Sequence, residues 1–243
     1  MPRFFVEPEN VNNDIITLYG DDAKHVCRVL RSKEGDVLTV CDSRGNDYEA
    51  EIVKLAEDDI KLKIINQSYT KSEPKLKITL YQSLPKADKM ETIIQKCVEL
   101  GIFKIVPVNT QRCIVKLDKN KEKKKIDRWQ KISESAAKQS GRGIIPEIGD
   151  VVDFSEALMD VVKLDAAIIP YELEQDRSLK IFLDEFKGES LGIFIGPEGG
   201  FSSEEINSAV ECSVIPLTLG KRILRTETAG MMVLSNSLFY LDM

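Results

Sequence analysis

One stretch, Ser190 to Gly230, constrains this chain more than any other. Gly196-Pro197-Glu198-Gly199-Gly200 follows an apolar run, Leu191 to Ile195, and precedes a polar segment opened by Ser202. Ile193-Phe194-Ile195 is short and β-prone, as a strand buried on both faces must be. Pro197 cannot donate to a ladder, so the strand should end at Gly196. Ser202 with Glu205 three residues on is a capping box, so a helix should start there. A second unit of the same kind follows, in which the mostly apolar Val214 to Leu219 leads into Gly220-Lys221-Arg222-Ile223-Leu224-Arg225-Thr226-Glu227-Thr228-Ala229-Gly230. Thr226 is expected to cap the helix behind it, Thr228 to Leu241, with Glu227 in its first turn. Strand ends that feed helix starts are where open α/β sheets place ligands.

By turn chemistry alone, the first turn is only a tight connection. Glu198 marks it as more, being an acid in a cramped turn at the carboxyl end of a strand. The second turn carries three cations, Lys221, Arg222 and Arg225, beside a helix start, where the helix dipole disfavours them. They fit either a solvated loop or a phosphate-bearing partner.

The rest of the chain sets bounds. At 243 residues it can hold one large domain or two modest ones. No apolar run reaches the roughly 18 residues of a membrane span, and the N-terminal text is not a signal peptide. Five cysteines without a Cys-x-x-Cys pair read as reduced thiols of a cytosolic protein, with no metal or disulfide framework. His25 is the one histidine, which excludes a serine–histidine triad or a histidine-rich metal site elsewhere. The net charge of −6 hides an asymmetry. Lys116 to Lys131 holds eight cations and three acids, whereas Glu147 to Glu189 holds twelve acids and four cations. A basic face on an acidic protein is either a solvated helix surface or a polyanion site.

Residues 1–72 read as short strands around one helix, Asp21 to Arg31, a pattern that suits a small, mostly antiparallel β-barrel. Ser68 to Pro74 is a polar linker. From 73 to 243 strand and helix alternate, which predicts a mostly parallel α/β sheet. Its elements are a strand at Lys77–Gln82, a helix at Lys86–Leu100 closed by Gly101, a strand at Lys104–Val108 and a basic helix from Lys119 to about Gln139. A strand at Ala166–Tyr171 and a helix at Ser178–Phe186 follow. There is no Walker loop and no Gly-x-Gly-x-x-Gly.

These residues together resemble the RsmE family of bacterial ribosomal RNA methyltransferases, in the SPOUT superfamily. The likeness rests on Gly196-Pro197-Glu198-Gly199-Gly200-Phe201-Ser202 and on Leu219-Gly220-x-Arg222-Ile223-Leu224-Arg225-Thr226-Glu227-Thr228-Ala229. His25-Val26-x-Arg28-Val29-Leu30-Arg31, Leu84-Pro85-Lys86, Lys89-Met90-Glu91, Arg112-Cys113 and Gln139-Ser140-Gly141-Arg142 agree with it in order. Lys138, Gly143 and Lys221 depart from the family's usual residues.

The resemblance implies a PUA-like β-barrel over 1–72 and a SPOUT domain with a C-terminal trefoil knot over 73–243. It implies a cytoplasmic homodimer that uses S-adenosyl-L-methionine to methylate N3 of a uridine in 16S rRNA of the 30S subunit (position 1498 in the standard rRNA numbering), with no membrane and no metal. The cofactor would lie against Tyr171, Glu172, Ile195, Gly196, Pro197, Glu198, Gly199, Gly200, Leu217, Leu219, Gly220, Ile223, Leu224, Thr226 and Thr228. Arg142, Glu198, Arg225 and Glu227 are the candidates for chemistry, and either glutamate could be the base. RNA contacts fall to His25, Arg28, Arg31, Arg112, Lys138, Arg142, Lys221 and Arg222. A related knotted methyltransferase with another RNA target, or a non-catalytic ribosomal RNA-binding module, are the competing readings.

Overall fold

A computed structural model describes residues 3–242, and the chain divides into two compact units. The first comprises the described residues up to Glu73 together with Ala137–Ile145. The second comprises Pro74–Ala136 and the described residues from Pro146 onward. A single cut near residue 72 therefore omits one feature, the return of the Gly141-Arg142-Gly143 loop to the first unit.

The first unit holds β1 (Arg3–Phe5), β2 (Val11–Asn12), β3 (Ile15–Tyr19), β4 (Val37–Cys41), β5 (Asn46–Leu55) and β6 (Asp59–Tyr69). They form one sheet in the order β1-β4-β5-β6-β3-β2. All its pairings are antiparallel except that of β1 with β4. Phe4 of β1 and Ile16 and Leu18 of β3 share one buried cluster with Val40, Ala50, Ile52, Ile60 and Leu62. Strands near both edges thus wrap a common interior. Helix α1 (Gly20–Lys24) continues into a wider π-helical turn, His25–Leu30, where the chain was expected to form one regular helix. Buried Ala23 and Val26 hold this segment on the core, and Arg31 ends it with a positive φ of 53°.

Arg142 is the pivot of the returning loop. Its guanidinium donates to Glu73, at 3.2 Å from Nε and 2.5 Å from Nη2, and is 4% exposed. Glu73 also accepts the Gly143 N–H at 2.7 Å, and Arg3 donates to the Arg142 carbonyl while pairing with Asp47. A buried pair of this kind is strongly destabilising to break, because the surviving charge stays buried. Arg142, expected to face substrate, is thus nearly buried and paired with Glu73 inside the loop.

In the second unit β7 (Lys77–Ser83), β8 (Lys104–Asn109), β9 (Glu147–Ile148), β10 (Val152–Asp153), β11 (Ala166–Pro170), β12 (Ser190–Ile195) and β13 (Ile215–Leu217) form one sheet. The order is β10-β8-β7-β12-β11-β13, with β9 also on β8, and every pairing is parallel. Tyr81, Phe194, Val106, Ala167 and Ile169 turn one face toward α4 (Phe154–Val161) and α6 (Ser203–Glu211). The alternate residues Leu80 and Ile195 meet Gly230 of α7 (Thr226–Leu241), which packs on α2 (Lys89–Glu99). Residues buried on both faces explain the near-continuous apolar run of β12, whereas in β7 the same burial also takes in Thr79, Gln82 and Ser83. Helix α2 begins three residues later than expected because Ala87 takes a positive φ of 55°. Helix α3 (Lys119–Ser140) buries Trp129, and α5 (Leu179–Glu185) is capped by Ser178, whose hydroxyl accepts the Ile181 N–H. Strands β1, β2, β9 and β10 and helix α4 went unrecognised in the sequence.

Gly143 has a reason to lack a side chain. A methyl there would come within 2.5 Å of Cβ and Cγ2 of Thr70. Gly143→Ala should therefore lower stability by about 1–3 kcal/mol, the usual penalty of overpacking. Gly149→Ala, whose methyl meets nothing closer than 3.5 Å, should change it by about 0.5 kcal/mol at most. Thermal melts of the two variants beside the parent check this.

Candidate functional site

Three loops at the carboxyl ends of β11, β12 and β13, neighbours in or next to one another in the parallel sheet, enclose a cavity of about 400 Å³. The first loop supplies Pro170, Tyr171 and Glu172, the second Gly196 to Phe201, and the third Thr218, Leu219, Gly220, Arg222, Ile223 and Leu224, with Thr226 and Ala229 of α7 behind. Four of the lining residues are glycines, Gly196, Gly199, Gly200 and Gly220, and Ile195, Leu219, Ile223 and Leu224 are apolar. Apolar pockets with a few convergent polar groups are the usual form of small-molecule sites.

Local chemistry fixes each loop. In the second, the Gly200 N–H donates to the Pro197 carbonyl at 2.9 Å, closing a turn. Gly200 has φ of +67°, and a Cβ there would stand 3.2 Å from Oε1 of Glu172, so glycine lets the two loops touch. The capping box forms as the sequence predicts: Ser202 accepts the Glu205 N–H, and Glu205 accepts the Ser202 N–H. Glu205 also accepts the Gln111 N–H at 2.7 Å, and Arg112 donates to the Gly199 carbonyl at 2.8 Å. Arg112, expected on RNA, thus buttresses this turn.

Thr226 does not cap α7. Arg225 holds the cap position, with no side-chain bond to the helix. Thr226 is buried, donates to the Gly196 carbonyl at 2.7 Å and accepts from Gln82 Nε2 at 2.9 Å. One hydroxyl therefore joins the third loop to the second and both to the end of β7.

The carboxylates are unevenly placed. Glu198 lines the cavity, and its Oε1 accepts from Lys89 Nζ at 2.8 Å and the Lys86 N–H at 3.2 Å. Burial works to raise its pKa, but Lys89 and nearby backbone N–H groups outweigh it and hold the carboxyl below the usual range. Lys89 shifts upward, first through the Glu198 bond. Its ammonium also lies 3.4 Å from Oε2 of Glu227, an oxygen that is buried and takes no hydrogen bond. One lysine thus sits between both candidate bases.

Of the residues expected at the cofactor, Leu217 and Thr228 do not line the cavity. Leu217 is buried beneath it, its carbonyl accepting the Tyr171 N–H, and Thr228 faces outward on α7. Arg225, Glu227 and Arg142 are likewise outside the lining, whereas Arg222 belongs to it. Lys221 and Arg225 are exposed. His25 is exposed beside the Phe4 ring, Arg28 pairs with Glu57, Arg31 is exposed, and Lys138 pairs with Asp22 at 3.0 Å. Pro170, Phe201, Thr218 and Ala229 of the lining were not named as site residues from the sequence, nor were Gln82 and Lys89 behind it, although Lys89, Phe201 and Ala229 lie in the motifs that carry the resemblance. Lys89 lies 109 residues from Glu198, so only the fold brings them together.

Other chemistry finds little support here. Burial pushes the Cys97 thiol up to about 12 and the Cys41 thiol up to about 11, so neither is a ready nucleophile. Among the described residues no cluster of His, Cys, Asp and Glu could hold a metal ion, and no helix is long and apolar enough to cross a membrane.

The sequence matches the profile of an RNA methyltransferase domain over residues 71–237 and of an RNA methyltransferase PUA domain over residues 18–65. The chain belongs to the ribosomal RNA small subunit methyltransferase E family. It is 34% identical to the member from Bacillus subtilis, across 97% of this chain and 95% of the relative. It is 32% identical to that of Mesomycoplasma hyopneumoniae, across 97% and 98%. The crystal structure of the family member from Neisseria gonorrhoeae bound to S-adenosyl methionine superposes with a TM-score of 0.84 at 32% identity, covering 98% of this chain and 97% of the other. Family membership and the observed sheet together give a mixed α/β protein with a parallel-sheet methyltransferase domain and an N-terminal PUA-like domain.

Removing the Thr226 hydroxyl should loosen the cavity from behind. Thr226→Val keeps the shape but orphans the Gly196 carbonyl and the Gln82 amide, and should cost about 1–3 kcal/mol. Thr226→Ser should retain most of that stability. Chemical denaturation of both variants measures the difference.

Proposed function

We propose that this protein transfers a methyl group from S-adenosyl-L-methionine to N3 of a uridine in 16S rRNA of the small ribosomal subunit, working in the cytoplasm as a homodimer. The observation that carries the reading is the cavity formed by the three strand-end loops, because its walls fit this cofactor. Glycine backbone and apolar side chains suit a flat heterocycle, and Glu172 and Glu198 supply negative charge beside a cation. When bound, the cofactor supplies an electrophilic methyl group on a sulfonium.

The residues of the chain take these roles. Backbone groups of Leu219, Gly220 and Leu224 hold the adenine edge. Glu198, kept ionised by Lys89, serves charge compensation and is a weak base because its pKa is lowered. Glu227, outside the lining and also beside Lys89, is the other candidate carboxylate for the N3 proton. Arg222 and Arg225 beside the third loop steady phosphate or the negative charge that grows on the uracil oxygens. The target base must leave its stack to reach the cavity.

Two further expectations belong to this reading. The segment after β13 threads a trefoil knot. Three hydrogen bonds support this: Tyr171 N–H to the Leu217 carbonyl, Thr218 N–H to the Arg177 carbonyl and Leu179 N–H to the Thr218 carbonyl, so that 217–218 is held between 171 and 177–179. Helix α7 forms the dimer contact, supported by Phe239 and Tyr240, large side chains near its end that remain 66% and 47% exposed.

Purified protein, S-adenosylmethionine and 30S subunits lacking the modification should yield 3-methyluridine on nucleoside analysis of the 16S rRNA. No new methylated nucleoside, on subunits or on free 16S rRNA, would overturn the assignment; a different one would redirect it to another RNA chemistry. Arg225→Ala should lower the transfer rate on the order of tenfold or more, with cofactor affinity kept within about twofold. Loss of both together would make Arg225 a structural residue.

A further inference from the structure

Helix α3 carries more positive charge than the fold uses. Some of its cations are engaged: Lys121 pairs with Asp118, Arg128 with Glu91, and Lys125 lies over the Trp129 ring. Lys119, Lys123, Lys124 and Lys131 are exposed, and no hydrogen bond or ion pair engages them among the described residues. The chain has 40 acidic residues against 34 lysines and arginines, so unpaired lysines here do not follow from a shortage of acids.

Their positions on the helix are ordered. Buried Trp129, Ser133 and Ala136, at i, i+4 and i+7, mark the inward row. At about 100° per residue, Lys123, Lys124 and Lys131 fall within about 70° of the opposite direction. From Lys123 to Lys131 the helix rises about 12 Å, and the one acid in that interval is Asp127. Like charges four apart, such as Lys119 with Lys123 and Lys124 with Arg128, each cost about 0.2–0.5 kcal/mol. Asp127, four residues from both Lys123 and Lys131, offsets part of this repulsion, and an external polyanion would relieve the rest.

We infer that the outward row Lys123–Lys124–Lys131 of α3 is a docking rail for the phosphate backbone of the substrate RNA. This rests on the function proposed above. The row is lysine, a point charge suited to phosphate, with no aromatic residue on it to stack bases, so it contributes affinity and placement and no base specificity. Each lysine releases counterions on binding, so its contribution can be read as salt dependence.

The test measures binding of the full chain to 30S subunits lacking the modification across a potassium chloride series. The variants are the triple substitutions Lys123→Gln/Lys124→Gln/Lys131→Gln and Lys123→Arg/Lys124→Arg/Lys131→Arg. The glutamine variant should lower the slope of log affinity against log salt by about 2, from three contacts at roughly 0.7 each. The arginine variant should keep the parent slope, and all three proteins should bind S-adenosylmethionine alike. An unchanged slope in the glutamine variant, while the parent still methylates 30S subunits, would make the row a solvated helix face and leave the function standing. An arginine variant that loses the slope as well would show that charge is not the cause and would overturn the rail. A parent protein that neither binds nor methylates 30S subunits would sink the function and the rail together.

Discussion

The second unit depends on one buried hydroxyl. Thr226 gives its proton to the Gly196 carbonyl and takes one from Gln82, so the start of α7, the turn after β12 and the end of β7 meet at one oxygen. Among the described residues the Thr226–Gly196 bond is the one direct hydrogen bond between this end of the third loop and the second, and Arg225, which occupies the cap position, makes no side-chain bond to the helix. The arrangement also explains why a threonine at a helix start is buried: the helix gives up a side-chain cap, and the cavity gains a fixed rear wall.

Around that point the site is built from close approach. Gly200 lets Glu172 lie over the second loop, and Gly230 lets α7 settle on Leu80 and Ile195. Polar reach comes from outside the loops: Lys89 of α2 grips Glu198 and sits beside Glu227, and Arg112 holds the Gly199 carbonyl. A glycine-rich wall held from behind by ion pairs can bind a flat, partly charged ligand without committing many side chains to it. The exposed cations of the third loop stay available for a second, anionic partner.

How much of this was legible in the sequence follows the range of the interactions. Ser202 and Glu205 are three residues apart, so their capping box could be read directly, as could β12 from its apolar run. The glycine-rich turn and the cation-rich loop were visible as unusual text, and most of the cavity lining falls within them. What could not be read was set by distant partners. Arg142 looks like a functional guanidinium beside two glycines, yet Glu73, 69 residues away, claims it for the first unit. Thr226 has the local signature of a cap, and Gln82, 144 residues away, overrides it. The short strands β9 and β10 have too few residues to show a period, and the π-helical turn at His25–Leu30 has no compositional mark.

The central claim is that the cavity at the ends of β11, β12 and β13 holds S-adenosylmethionine. Isothermal titration of the purified protein with that cofactor tests it most directly, first alone and then with 30S subunits present. Saturable binding of one cofactor per chain is the expected result, with subunits free to tighten it. The absence of binding in both titrations, from a protein that melts cooperatively, would contradict the account.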